Sequence, residues 1–125
     1  MSSSIVQDKS EQFSLRIIKL YKYLSERTVN REKILSLQLL RSGTSIGANI
    51  AESECAISKN DFKAKLYISL KECNECKYWL RLLYKAGFLE KAEYDSIYKD
   101  AEEIYRLLMA ITKTLKEQKN IKSEI

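Results

Sequence analysis

Two neighbouring cysteines and two neighbouring glutamates are the residues of this sequence whose types and spacing could do chemistry. Cys73 and Cys76 form a C-x-x-C motif, and Glu72 and Glu75 lie one helical turn apart. Zinc sites use about four ligands, and Cys55 is the only cysteine left to add one. A thioredoxin-type pair opens a helix after a strand, whereas this segment has helical spacing throughout. We therefore predict three reduced, largely buried thiols that pack as small hydrophobes.

The chain contains no histidine. Histidine-based acid–base catalysis, Ser-His-Asp and Cys-His nucleophile systems and imidazole metal ligands are therefore excluded. A di-iron bundle is excluded as well, because it uses Glu-x-x-His motifs. Glu72 and Glu75 could hold a hard cation by carboxylates alone, but an ion pair with Arg41 or Lys65 is the simpler explanation. We predict that the protein is not an enzyme and that it has no metal or cofactor.

The elements that carry these residues are helices. The 125 residues predict one domain, and the absence of proline together with only three glycines disfavours a β-sandwich or barrel. Apolar residues recur at spacings of three and four, which predicts four helices at about 9–28, 31–57, 60–86 and 90–118, with a frayed tail after 119. Short connections make neighbouring helices antiparallel. We predict an all-α, up-down-up-down four-helix bundle that forms a single domain.

Capping residues mark the predicted helix ends. Ser10 and Asn30 are the predicted N-caps of the first two helices. Ser58 and Asp61 resemble a capping box before the third helix, with aspartate in place of the usual glutamate. Gly87 follows the third helix as its predicted stop.

The net charge is +5, and the basic excess lies in the first three quarters of the chain. Such an excess favours polyanionic partners. The longest apolar run, Leu107–Ile111, is too short to span a bilayer. The N-terminus lacks the charged and apolar regions of a signal peptide. We predict a cytoplasmic protein with no membrane partner.

Small residues interrupt the second predicted helix. Gly43 and Gly47 each cost about 1 kcal/mol relative to alanine in a helix, which favours close approach of another helix at this point. The opposite side of the same helix is also small, and a second packing surface such as a subunit interface would explain it. To an oligomer interface or buried polar network we assign Arg41, Ser45, Asn49, Glu52, Glu72, Glu75 and Trp79.

A longer pattern extends on either side of these glycines. It reads LQLLRSGTSIGANIAE over residues 37–52, followed by SKNDF at 58–62, KL at 65–66, LKE at 70–72 and YWL at 78–80. In these segments the sequence resembles the bacterial four-helix-bundle family encoded in intervening sequences of large-subunit ribosomal RNA genes. The resemblance covers about residues 8–118, and the family is similar to the accessory variability determinant protein of diversity-generating retroelements. Cys76 departs from the family, which usually has threonine there.

The resemblance implies a small bundle that assembles as a ring-shaped homopentamer and has a role in binding RNA or other nucleic acid. One side of the third predicted helix fits such a role, because its cations and tyrosines suit phosphate contacts and base stacking. We assign nucleic-acid binding, with structured RNA as the partner, to Lys63, Tyr67, Lys71, Lys77, Tyr78, Arg81 and Lys85. The alternative is a protein-interaction or scaffolding ring without a direct nucleic-acid ligand.

Overall fold

The computed structural model describes the backbone of residues 2–124 and the side chains of residues 5–118. Four helices make up this part of the chain, and it contains no strand. They are α1 (Ser2–Glu26), α2 (Ile34–Ser53), α3 (Lys59–Lys85) and α4 (Lys91–Glu124). The prediction of an all-α fold is confirmed.

The helices form a bundle in which each element packs on its neighbours in the chain and α4 closes against α1. Over the described residues, the diagonal pairs α1–α3 and α2–α4 do not pack on each other. Cross-helix pairs run in opposite directions along each interface. Lys9 pairs with Glu103 whereas Arg16 pairs with Asp100, which makes α1 and α4 antiparallel. The observed topology is up-down-up-down, as predicted from the short connections.

Both ends of α2 differ from the prediction. Asn30 is not its N-cap, because it adopts a left-handed conformation with φ of 56° in the preceding loop. The helix begins at Ile34, where a carboxylate oxygen of Glu32 accepts a 2.8 Å hydrogen bond from the Ser36 amide. At the other end α2 stops at Ser53 rather than at 57, and Ile57 is 94% exposed in the loop.

Helix α1 also begins earlier than predicted. It starts at Ser2 rather than at about 9, so Ser10 is a buried residue of the helix interior and not its N-cap. The Ser10 hydroxyl donates a 2.8 Å hydrogen bond to the Gln7 carbonyl. A serine inside a helix satisfies its own hydroxyl by bonding backward to a carbonyl of the preceding turn.

Helix α3 has the predicted capping and stop residues, and it spans Lys59–Lys85, one residue earlier at each end than the predicted 60–86. The Ser58 hydroxyl accepts a 3.0 Å hydrogen bond from the Asp61 amide, and the Asp61 carboxylate accepts one from the Ile57 amide. Gly87 follows the helix with φ of 89°, a conformation that glycine adopts without strain. Helix α4 continues to Glu124 instead of ending at 118. The side chains of the predicted frayed tail lie outside the described residues.

The core lies along the axis of the bundle and receives side chains from all four helices, including Ile17, Ile46, Leu80 and Leu108. Gly43 lies where α1 and α2 approach closely. A Cβ at this position would be 3.0 Å from Cγ1 and Cγ2 of Ile17. Gly47 faces Ser10, whose Oγ would lie 3.2 Å from an added Cβ. The small residues therefore permit the close α1–α2 contact. This contact determines which side of α2 faces away from α1.

Candidate nucleic-acid interface and packing surface

Six of the seven residues predicted to bind nucleic acid share the solvent side of α3. Lys71, Tyr78 and Lys85 are exposed, and the other three are half-buried. We call this set the basic face: Lys63, Tyr67, Lys71, Tyr78, Arg81 and Lys85. Among the described side chains, none of its four cations lies within ion-pair distance of a carboxylate. These charges are therefore open to an external anion.

Lys77 does not belong to the basic face, contrary to the prediction. Its side chain is only 10% exposed, and its Nζ lies 2.9 Å from a carboxylate oxygen of Glu102 on α4. The ammonium also lies 4.0 Å from the centre of the Tyr105 ring. Lys77 is four residues after the buried Cys73 and turns toward α4 for that reason. The cation is already neutralised inside the bundle.

A tyrosine column lies between α3 and α4 and contacts the basic face at Arg81. It consists of Tyr84, Tyr94 and Tyr98. Tyr84 and Tyr94 stack with ring centres 4.5 Å apart and planes inclined by 8°. Tyr98 continues the column at 5.0 Å from Tyr94, and its hydroxyl accepts a 3.0 Å hydrogen bond from Arg81. Tyr94 and Tyr98 were not predicted as part of this site, although their spacing of four on one side of α4 is a signal for it.

Two carboxylates of α4, the helix that packs on α3, already have basic partners. Asp95 bonds Lys91 at 2.7 Å, and Glu102 bonds Lys77 and lies 3.7 Å from Arg106. The lysine hydrogen bond holds the pKa of Glu102 below its usual range, so the carboxylate stays charged. Paired acids do not offset the cations of the basic face. The face therefore has an uncompensated positive charge.

A second candidate surface is formed by the outer sides of α2 and α3. Arg41 pairs with Glu72 at 3.3 Å and also with Glu75, within the same chain. Lys65 pairs with Glu52 at 3.1 Å rather than with Glu72 or Glu75. The Arg41 side chain is 48% exposed, so these pairs form a surface network and not a buried one.

The two remaining polar residues of the predicted network bond to their own helix. The Ser45 hydroxyl donates to the Arg41 carbonyl at 2.6 Å, and the Asn49 amide donates to the Ser45 carbonyl at 2.8 Å. They leave a flat, small-residue strip between the ion pairs. Such a strip allows another chain to approach α2 closely.

Trp79 is the large residue of this outer side, and it is half-buried. Its indole Nε1 is buried and has no hydrogen-bond partner among the described residues. Ile68 on α3 and Leu37 on α2 are 40% and 51% exposed. We call the outer sides of α2 and α3 with these residues the α2/α3 surface. It combines exposed apolar area with charges of both signs.

The cysteines offer no reactive site in the bundle interior. Cys73 and Cys76 are buried and unbonded to each other, and burial raises the pKa of Cys73 to about 12. Burial also raises the pKa of Cys76. Cys55 differs from the prediction, because its thiol is exposed in the loop after α2. Among the described residues, no three potential metal ligands cluster together, and no helix has the length and apolarity that a membrane span requires.

Antiparallel packing of four helices around one core, with a basic face on α3, defines a small all-α bundle protein. The family model of the 23S rRNA-intervening sequence protein matches residues 2–110, and the chain belongs to this family. The predicted resemblance is confirmed.

A crystal structure of a protein of unknown function, from the S23 ribosomal protein family of Bacteroides thetaiotaomicron, is similar over most of the chain. It shares 49% sequence identity with a TM-score of 0.86, and the match covers 90% of this chain and 99% of that one. No match is found among curated proteins.

Proposed function

We propose that this protein is a non-catalytic bundle that binds structured RNA through the basic face. The observation that carries the proposal is the row of cations on α3, none of which has a carboxylate within ion-pair distance among the described side chains. Phosphates of a nucleic acid would supply the missing negative charge. The absence of histidine and of a clustered metal-ligand set among the described residues supports a binding role over an enzymatic one.

Reversing two charges of the basic face tests this assignment. The double change Lys71→Glu and Lys85→Glu is expected to weaken RNA binding more than tenfold and to leave folding intact, because both side chains are exposed. The slope of log affinity against log salt concentration should become shallower, by the amount expected for the loss of about two phosphate contacts. Fluorescence anisotropy with a structured RNA and a matched DNA duplex, titrated across salt, measures both quantities.

The matched control is the double change Lys19→Glu and Lys22→Glu on α1, which alters the net charge equally at two exposed positions. If the control weakens binding as much as the α3 variant, the affinity reflects total charge and the basic face is not the site. If the unmodified protein does not bind RNA even at low salt, the proposal fails, and a scaffolding role with a protein partner becomes the leading explanation.

We also propose that the protein self-associates through the α2/α3 surface. The exposed apolar side chains of Ile68 and Leu37 support this proposal. The surface bears Arg41 beside Glu72 and Glu75, so opposite charges of two copies could pair across the contact. The family resemblance implies five copies in a ring.

Light scattering after size-exclusion chromatography measures the assembly directly. We expect a mass near five times the 14.6 kDa of one chain. Ile68→Asp should shift the mass toward the single chain, because it buries a charge in the proposed contact. Val29→Asp is the control, since Val29 is 78% exposed in the loop after α1. A single-chain mass for the unmodified protein at micromolar concentration would refute self-association.

A further inference from the structure

The exposed side of α3 alternates tyrosines with cations along one line. Tyr67, Lys71, Tyr78 and Lys85 follow one another at spacings of four, seven and seven residues, which keeps them on one stripe of the helix. The two tyrosines are about 16 Å apart along the axis at ~1.5 Å per residue. A single line of charge matches one phosphate backbone, whereas a duplex presents two backbones across a groove.

Tyr78 is held with its ring open to solvent. It is 46% exposed, and it makes a T-shaped contact with Trp79, with ring centres 5.1 Å apart and planes inclined by 66°. The two rings are not stacked in parallel, and nearly half of Tyr78 stays open to solvent. A rigid, exposed aromatic ring offers a stacking surface to any base, at a low cost in conformational entropy.

Arg81 lies over one side of the same ring and is held there by a hydrogen bond to the tyrosine column. Its guanidinium carbon lies 5.9 Å from the centre of the Tyr78 ring, and its Nη1 donates to the Tyr98 hydroxyl at 3.0 Å. Tyr98 in turn packs against Tyr94. The guanidinium is therefore preorganised next to the exposed ring, where it can meet both the face of a base and its phosphate.

From this arrangement we propose that the α3 row binds the unpaired part of a nucleic-acid strand, with bases stacked on Tyr78 and Tyr67 and phosphates bound by Lys71, Arg81 and Lys85. The inference rests on the proposed RNA-binding function and names its target, a loop or single strand rather than a duplex. In a duplex the faces of the bases are hidden by their neighbours. The exposed rings would then have no role in binding.

The test compares a fluorescein-labelled twelve-nucleotide uridine RNA with a twelve-base-pair RNA duplex by anisotropy, at several salt concentrations. Tyr78→Leu removes the ring and keeps apolar bulk. It should weaken binding of the single strand by about 5- to 150-fold, as expected for loss of one stacked base. Binding of the duplex should change less than twofold. The salt slope should not change, because stacking releases no counterions.

Tyr23→Leu is the matched control. Tyr23 is 50% exposed on α1, and the Arg27 guanidinium lies 5.0 Å from its ring centre, so the same kind of tyrosine–arginine pair is removed elsewhere. Tyr78→Trp keeps an aromatic ring and removes the hydroxyl, so it should retain binding of the single strand. If Tyr78 acted only through its hydroxyl, this variant would lose binding as Tyr78→Leu does. Thermal unfolding followed by circular dichroism verifies that each variant is folded.

The outcomes separate the two proposals. Stacking on α3 is wrong if Tyr78→Leu binds both RNAs as tightly as the unmodified protein, or if its affinity for both falls equally. Neither result contradicts salt-dependent RNA binding. If the unmodified protein binds neither RNA, the proposed function itself fails. Preference for the single strand that disappears only in Tyr78→Leu supports the inference.

Discussion

Replacing Glu102 with alanine is expected to lower the free energy of unfolding by about 3 kcal/mol, because the buried Lys77 ammonium loses its carboxylate. The Lys77 side chain is 10% exposed, so little water can take the place of Glu102. Its remaining neighbours are the rings of Tyr105 and Tyr98, at 4.0 and 5.8 Å. These rings attract the cation but replace only part of the lost interaction. Chemical denaturation monitored by circular dichroism measures the loss.

The opposite change, Lys77→Met, should cost less, about 1 kcal/mol. Glu102 is 29% exposed and lies 3.7 Å from Arg106, so it retains water and a second cation. A double variant, Lys77→Met with Glu102→Leu, should recover most of the stability, since no charge is left unpaired. Lys91→Met breaks the exposed Lys91–Asp95 pair and serves as control, with no measurable change in stability expected.

Acid should reduce the effect of Glu102. Its pKa is lowered in the folded protein by the Lys77 hydrogen bond, so the stabilisation is present above the ordinary glutamate value of 4.5 and is lost as pH falls through the folded value. The difference in unfolding free energy between the unmodified protein and Glu102→Ala should therefore shrink in that range. A difference that is constant from neutral pH down to pH ~3 would contradict the ion-pair account.

Gly43→Leu is expected to lower the free energy of unfolding by about 3 kcal/mol, because even a Cβ at this position lies 3.0 Å from two carbons of Ile17. Both residues are buried, so the added side chain has no path to solvent. Gly43→Ala should be much milder. Its gain of about 1 kcal/mol in helix propensity offsets part of the overpacking strain. Thermal and urea unfolding would rank the two variants.

Ala51→Leu is the control for this prediction, because it introduces the same side chain into α2 at an exposed position. Its stability should stay within about 0.5 kcal/mol of the unmodified protein. If Gly43→Leu proves as stable as Ala51→Leu, then α1 and α2 do not require a small residue at their contact. The glycines would then need another explanation.

Most of the fold could be predicted because its signals are local. The spacing of apolar residues determines which side of each helix is buried, and the short connections make successive helices antiparallel. The helix ends were predicted less well. Ser10 and Asn30 have the residue types of N-caps, yet the first lies inside α1 and the second lies in a left-handed turn. Residue type permits a cap, but the course of the surrounding chain decides whether it forms.

The candidate site divides in the same way. The sequence by itself determined the four helices, their order, the row of cations along one side of α3 and the close approach at Gly43. Only the tertiary structure decided that Lys77 is buried against Glu102, that Arg41 binds both Glu72 and Glu75, and that Arg81 is fixed by the tyrosine column. Helical periodicity describes one element at a time. The environment of a charge is a property of two packed elements and of the register between them.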